Sequence, residues 1–175
     1  MHTPLQAKAD SIKAYKEKAA KIAPSDHPEF IMDNGHRVRQ VQNHPIYAAM
    51  VGSMDDTVGR VLEQIKTLGI ESNTIVIFTS DNGGLSTSEG WPTSNLPLRG
   101  GKGWPYEGGV REPLIVKWPC VTKPGTTCEQ PVISTDFYPT ILQMAGLPLR
   151  PKQHVDGISI VPALKEQTLP ERPLF

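Results

Sequence analysis

Residues 74–84 read TIVIFTSDNGG, and the fold turns on them. Thr74 to Thr79 form a short run of β-branched and aromatic residues, apolar on both faces, which predicts a strand in a sheet covered on both sides. The run ends in Asp81, Asn82, Gly83 and Gly84, a turn sequence. Upstream, Ile46, Met50, Met54, Val58, Val61, Leu62, Ile65 and Leu68 recur at three- or four-residue spacing. They predict a helix over 45–68, ended by Gly69 in the left-handed conformation. Downstream, residues 81–112 read as a long loop, and LIVKW (114–118) as the next strand. Ser134 or Thr135 caps a further helix that turns Phe137, Ile141, Leu142 and Met144 inward and stops at Gly146. At the start, Thr3, Pro4 and Gln6 form a capping box for a helix over 3–22. Residues 23–44 read as an exposed loop, and DGISIVPAL (156–164) as one short strand or turn. This order predicts an α/β fold with a mixed, mostly parallel sheet flanked by helices.

Composition narrows the function. Eighteen basic residues balance eighteen acidic ones, so no net field favours nucleic acid or a membrane surface. No apolar run is long enough to span a bilayer, and no leader signature is visible. Seventeen prolines and fifteen glycines argue against a helical bundle. Cys120 and Cys128 flank VTKPGTT. They either bridge that loop or stay reduced, and their spacing argues against a thiolate zinc site.

In sheets of this kind ligands gather beyond the carboxyl ends of the strands. Asp81 and Asn82 sit there, and both offer hard oxygen donors, which suit calcium or magnesium rather than zinc. The plainer reading is an ordinary Asp-Asn-Gly turn. A second glycine-rich turn, LRGGKG (98–103), places Lys102 between two glycines, where it suits a phosphate-like or sulfate-like anion cradled by backbone N–H groups. The plainer reading there is a solvated lysine. GxxxxGK[ST] is absent, so this is not a nucleotide phosphate loop. Together the two loops suggest one hard cation beside one tetrahedral anion. No nucleophile with an adjacent base accompanies them.

IVIFTSDNGG, LRGGKGWPYEGGVREPLIVKWP, STDFYPTILQMAGLP and DGISIVPAL, in this order and spacing, resemble the type I sulfatases, whose fold is alkaline-phosphatase-like. The opening MHTPLQAK is similar to the family's His-x-Pro element. The resemblance implies hydrolysis of sulfate esters by a formylglycine, with calcium, sometimes magnesium, holding sulfate and nucleophile together. It implies Asp81 and Asn82 as metal ligands. Lys102 becomes a catalytic, sulfate-binding lysine that helps the leaving oxygen, and His2 a second catalytic and sulfate-contacting residue. It also implies a sulfated small molecule or sulfated carbohydrate as partner, and a periplasmic, secreted or lysosomal-type compartment. Glu107 and Arg111 are expected to pair across the glycine loop. Asp136 is expected to support its helix start, and Asp156-Gly157 to turn into a late strand. Trp91, Trp104 and Tyr106 either stack on a substrate ring or pack. His27, His36, His44 and His154 match no family position.

The chain departs from the family pattern in two respects. The C/S-x-P-x-R motif that yields formylglycine is absent, as are the paired aspartates that complete the ion site. The expectation is therefore a single partial catalytic domain over 1–175, lacking the N-terminal nucleophile region and the C-terminal subdomain, and inactive alone. It is expected to expose a strand edge and an apolar face. Two rivals are a phosphodiesterase or phosphonate hydrolase of the same superfamily, and a non-catalytic sulfate-binding remnant. An Asp-His pair at 81–82 would suit the zinc-dependent phosphate enzymes; Asp81-Asn82 does not.

Overall fold

The computed structural model describes residues 2–174. Their elements are α1 (Ala9–Ala19), β1 (Phe30–Asp33), β2 (His36–Arg39), α2 (Pro45–Thr67), β3 (Val76–Thr79), α3 (Glu107–Val110), β4 (Leu114–Lys117), α4 (Phe137–Met144) and α5 (Val161–Leu164). β1 pairs with β2, and β3 neighbours β4 in a second two-stranded sheet. The chain divides into two compact units. One holds residues up to Glu71 together with Ile77–Ile115. The other holds Ser72–Val76 and residues from Val116 onward, so the division runs within β3 and β4.

In the first unit α2 follows its periodicity closely. His44 is the N-cap, its Nδ1 accepting from the Tyr47 N–H at 3.3 Å, and Pro45 opens the helix. Gly69, at φ +68°, ends it as expected. Its N–H reaches the Lys66 carbonyl, and the Ile70 N–H reaches Ile65. Helix α1 packs along α2, and Gly52 makes room for it: a Cβ there would lie 2.6 Å from the Tyr15 hydroxyl.

Helix α1 starts later than the capping box suggested. Thr3 does not cap it; its Oγ1 donates to Glu89 Oε2 at 3.0 Å, and the helix begins at Ala9 with no side-chain cap. The loop expected over 23–44 contains a β-hairpin. Phe30 lies opposite Arg39 and Asp33 opposite His36. Asn34 (φ +49°) and Gly35 (φ +76°) supply the two left-handed residues that a tight hairpin turn needs. Arg39 is buried and ties this hairpin down. It donates to Glu29 at 2.9 Å, and also to Asn43 and to the Trp91 carbonyl. The core of the unit gathers Val38, Ala49, Met50 and Leu85, with Ser86, Thr87, Thr93 and Ser94 buried among them.

The second unit is organised by Asp136, which is fully buried. Its carboxylate accepts from the Ile133 N–H (3.0 Å), the Ile158 N–H (2.9 Å) and the Arg172 guanidinium. Burial by itself pushes the carboxyl up, but the Arg172 fork and the two N–H donors outweigh it and hold the group below its ordinary value. Helix α4 starts beside it, preceded by a 3-10 turn over Ser134–Asp136. The Asp136 side chain, not that of Ser134 or Thr135, holds this helix start. Gly146 (φ +68°) ends the helix. DGISIVPAL forms no strand: Val161–Leu164 is the short helix α5, and Gly157 turns tightly against the Thr135 carbonyl.

Alternate residues of β3 and β4 are exposed, Ile77 by 36% and Ile115 by 61%. The run 74–79 predicts a strand covered on both faces, and a partial domain predicts an exposed apolar face; Ile77 and Ile115 follow the second expectation.

Candidate anion and cation site

The turn after β3 and the glycine loop before α3 are bound together through their backbones. The Gly84 carbonyl accepts from the Lys102 N–H at 3.1 Å, and Gly83 donates to the Gly109 carbonyl at 3.0 Å. Glycine is needed for this proximity. A Cβ on Gly83 would collide with the Gly108 carbonyl oxygen, and one on Gly101 with Ser86 Oγ. Neither Gly83 nor Gly84 has a left-handed φ. Close packing accounts for both glycines. The same three letters, Asp-Asn-Gly, form a left-handed hairpin turn at 33–35 but not at 81–83.

Asn95 locks the pair of loops. Its amide donates to the Gly84 carbonyl (3.0 Å), the Gly100 carbonyl (2.9 Å) and Ser86 Oγ (3.1 Å). Ser86 Oγ donates to the Gly100 carbonyl at 2.8 Å, and Thr87 Oγ1 to the Lys102 carbonyl at 3.2 Å. These residues went unremarked in the sequence. Their signal was the density of Ser, Thr and Asn over 86–95, which is unusual for residues that end up buried.

Lys102 is half-buried, and its backbone N–H is engaged by Gly84. The expected N–H cradle is therefore not available at this residue, and an anion's contact falls to the side chain. Its Nζ lies 3.9 Å from Glu89 Oε1. The other Glu89 oxygen holds Thr3, next to His2. The His2 segment and Lys102 are thus joined through one carboxylate. Among the described residues no direct hydrogen bond or ion pair links His2 to Lys102, or Asp81 to Lys102. His2 is exposed, with Nδ1 at 3.0 Å from the Thr3 carbonyl.

The side chains of Asp81 and Asn82 have no hydrogen-bond or ion-pair partner among the described residues. Glu112, which no sequence pattern singles out, lies near enough to Asp81 to feel its charge. Its Oε1 is buried without a partner. Burial pushes its carboxyl up, and the negative charge of Asp81 adds to that. Burial likewise raises the Tyr47 phenol, with the Glu112 charge adding. Asp81, Asn82 and Glu112 offer hard oxygen donors, the type of donor that suits calcium or magnesium. The set is incomplete: no group of three or more His, Cys, Asp or Glu with metal-site geometry occurs among the described residues.

The aromatic residues of the loop pack. Trp104 meets His36 edge-on (5.6 Å) and Tyr106 (5.9 Å). Tyr106 carries the Arg99 guanidinium over its ring at 4.0 Å and accepts from Asn34 at 3.3 Å. Arg99 in turn forks onto Asp33 at 2.7 and 2.8 Å. Together they clamp the β1–β2 hairpin onto the Lys102 loop. Trp91, under Arg37 at 5.5 Å, has a buried Nε1 with no partner. Glu107 and Arg111 pair at 3.4 Å, as expected, on the surface. His44 caps α2, and His154 Nδ1 sits 3.3 Å from the Gly157 carbonyl. Cys120 and Cys128 are both free and exposed. No helix is long and apolar enough to cross a membrane among the described residues.

Comparison with known proteins bears on this arrangement. A sequence model of the family described as Sulfatase matches residues 1–147. The chain is similar to a sulfatase of Formosa agariphila, 47% identical over 133 residues, which cover 70% of this chain and 23% of that protein. It is also similar to the N-acetylgalactosamine-6-sulfatase of Mus musculus, 37% identical over 130 residues, covering 74% and 25%. The solved structure of Ps i-CgsB in complex with k-i-k-neocarrahexaose superposes at a TM-score of 0.73 and 32% identity. That match covers 94% of this chain and 31% of the other. The chain thus spans about a quarter of the length of the curated relatives it matches. Its fold is the α/β, alkaline-phosphatase-like fold of its structural neighbours. The chain belongs to the sulfatase family.

Proposed function

We propose that this chain carries one side of a sulfate-ester hydrolysis site, with Lys102 as the anion-gripping and catalytic group and Asp81 and Asn82 as half of a cation site. The observation that supports this reading most is the bond from the Lys102 N–H to the Gly84 carbonyl, which fixes the lysine's loop against the acid-amide turn. Lys102 neutralises charge on the ester and helps the leaving oxygen. His2 supplies a second polar contact from the segment that Glu89 tethers. Calcium or magnesium, once bound, would polarise a sulfate oxygen and orient the ester. Asp81 and Asn82 would hold it, and the unpartnered oxygen of Glu112 leaves room for a positive charge nearby. The family's formylglycine has no precursor in these 175 residues, because C/S-x-P-x-R does not occur. The chain alone is therefore inactive on this reading.

A sulfated carbohydrate is the favoured partner class. The support is the name of the murine relative, N-acetylgalactosamine-6-sulfatase, and the neocarrahexaose bound to the structural neighbour. Binding of methyl sulfate and methyl phosphate to the chain, followed by NMR of its 13C-methylated lysines, tests the reading. The Lys102 signal is identified by its absence from Lys102→Arg. It should respond to methyl sulfate at lower concentration than to methyl phosphate. The reverse order would favour a phosphate-ester enzyme, and no response would refute an anion site at Lys102.

A further inference from the structure

Glu89 occupies a costly position. Glu89, Gly90 and Trp91 are left-handed in succession, at φ +51°, +92° and +48°. For the two non-glycine residues this is strained backbone, which persists only where its surroundings enforce it, and such strain gathers at functional sites. The bend delivers one carboxylate to two places: Oε2 to Thr3 at 3.0 Å and Oε1 to within 3.9 Å of Lys102 Nζ. The longer separation has a consequence. Oε2 is held by a hydrogen bond, while Oε1 stands beside the ammonium group without a hydrogen bond to it. The lysine is therefore free to turn to an incoming anion, with a fixed negative charge left a few ångströms away.

A sulfate ester carries one negative charge, and the inorganic sulfate released by its hydrolysis carries two. Coulomb repulsion scales with the product of charges, so a fixed carboxylate penalises the product about twice as strongly as the ester. We infer that Glu89 is a positioning residue for Lys102 whose carboxylate disfavours retention of inorganic sulfate relative to the singly charged ester, and so favours product release. This rests on Lys102 being the anion site.

The test uses the 175-residue chain, with sodium sulfate and sodium methyl sulfate as probes and the Lys102 13C-methyl signal as readout. Glu89→Gln keeps an oxygen to accept from Thr3 and removes only the charge. It should tighten methyl sulfate roughly twofold and sulfate roughly fourfold, in keeping with exposed charge pairs. Equal factors for the two anions, or no change, would overturn the role of Glu89 while leaving the anion site standing. A Lys102 signal that responds to neither anion in the unaltered chain would refute the anion site, and this inference with it. Thr3→Val, which frees the carboxylate without altering charge, should reduce the preference for methyl sulfate over sulfate. An unchanged preference there, should Glu89→Gln not fold, would count against the proposal.

Discussion

Gly83 lies so close to Gly108 that a Cβ on Gly83 would overlap the Gly108 carbonyl oxygen. Because both partners are backbone, neither can swing aside. Gly83→Ala is expected to cost about 1–3 kcal/mol, the usual range for overpacking, and to push the acid-amide turn away from the Lys102 loop. Thermal unfolding of the variant measures the cost. A Tm within a degree or so of the original would contradict the close packing.

The pairing of these two loops was legible from the sequence only in outline. DNGG and GGKG stand out as glycine turns, and the strand before them and a helix over 45–68 follow from the residue pattern. The reason for the glycines was not legible, because close approach of two backbones about 25 residues apart leaves no local pattern. Nor was the role of Asn95, whose three acceptors come from two separate segments, Gly84–Ser86 and Gly100. The hairpin over 30–39 was readable in principle: Asn34-Gly35 between two short runs is its signal, obscured by the surrounding Pro, Asp and His. Thr3 was misassigned because a capping box is a local inference. Glu89, far along the chain, competes for the same hydroxyl.

His44 makes α2 sensitive to acid. Its Nδ1 must be unprotonated to accept from Tyr47, and burial, with the nearby Arg39 charge, holds its pKa below the ordinary 6.5. The unfolded chain therefore takes up this proton at higher pH than the folded one. The cap's contribution is complete above pH 6.5 and is lost as pH falls through the lower folded value. His44→Asn keeps a capping acceptor without the titration. Unfolding of the two proteins between pH 7.5 and 5 is expected to diverge by about 1 kcal/mol at the acid end. Parallel pH profiles would contradict this.

Asp136 anchors the second unit. Asp136→Asn leaves the Arg172 guanidinium, which is 16% exposed, without its counter-charge and is expected to cost about 3 kcal/mol. Hydrogen exchange should show faster opening of α4 and α5, with the Asn95-centred loops unchanged. Exchange unaffected at Thr140 and Ile160, which Asp136 positions, would count against the hub.

Ile115 exposes 61% of its surface on β4. Apolar residues on an uncovered strand promote association. Ile115→Lys should shift the chain toward monomer in light scattering without changing its circular dichroism. An unchanged association state would mean that another surface drives it.

On the proposed function, one pocket holds a divalent cation and a sulfate group together. Two ligands sharing a pocket must alter each other's affinity by the same factor. Calorimetric titration of the chain with calcium, with and without saturating methyl sulfate, measures that factor directly. Calcium should bind weakly, on the order of millimolar, to a half-complete oxygen site. Methyl sulfate should tighten it severalfold, and the gain should vanish in Lys102→Ala. Calcium affinity indifferent to methyl sulfate, or a gain that survives Lys102→Ala, would contradict it.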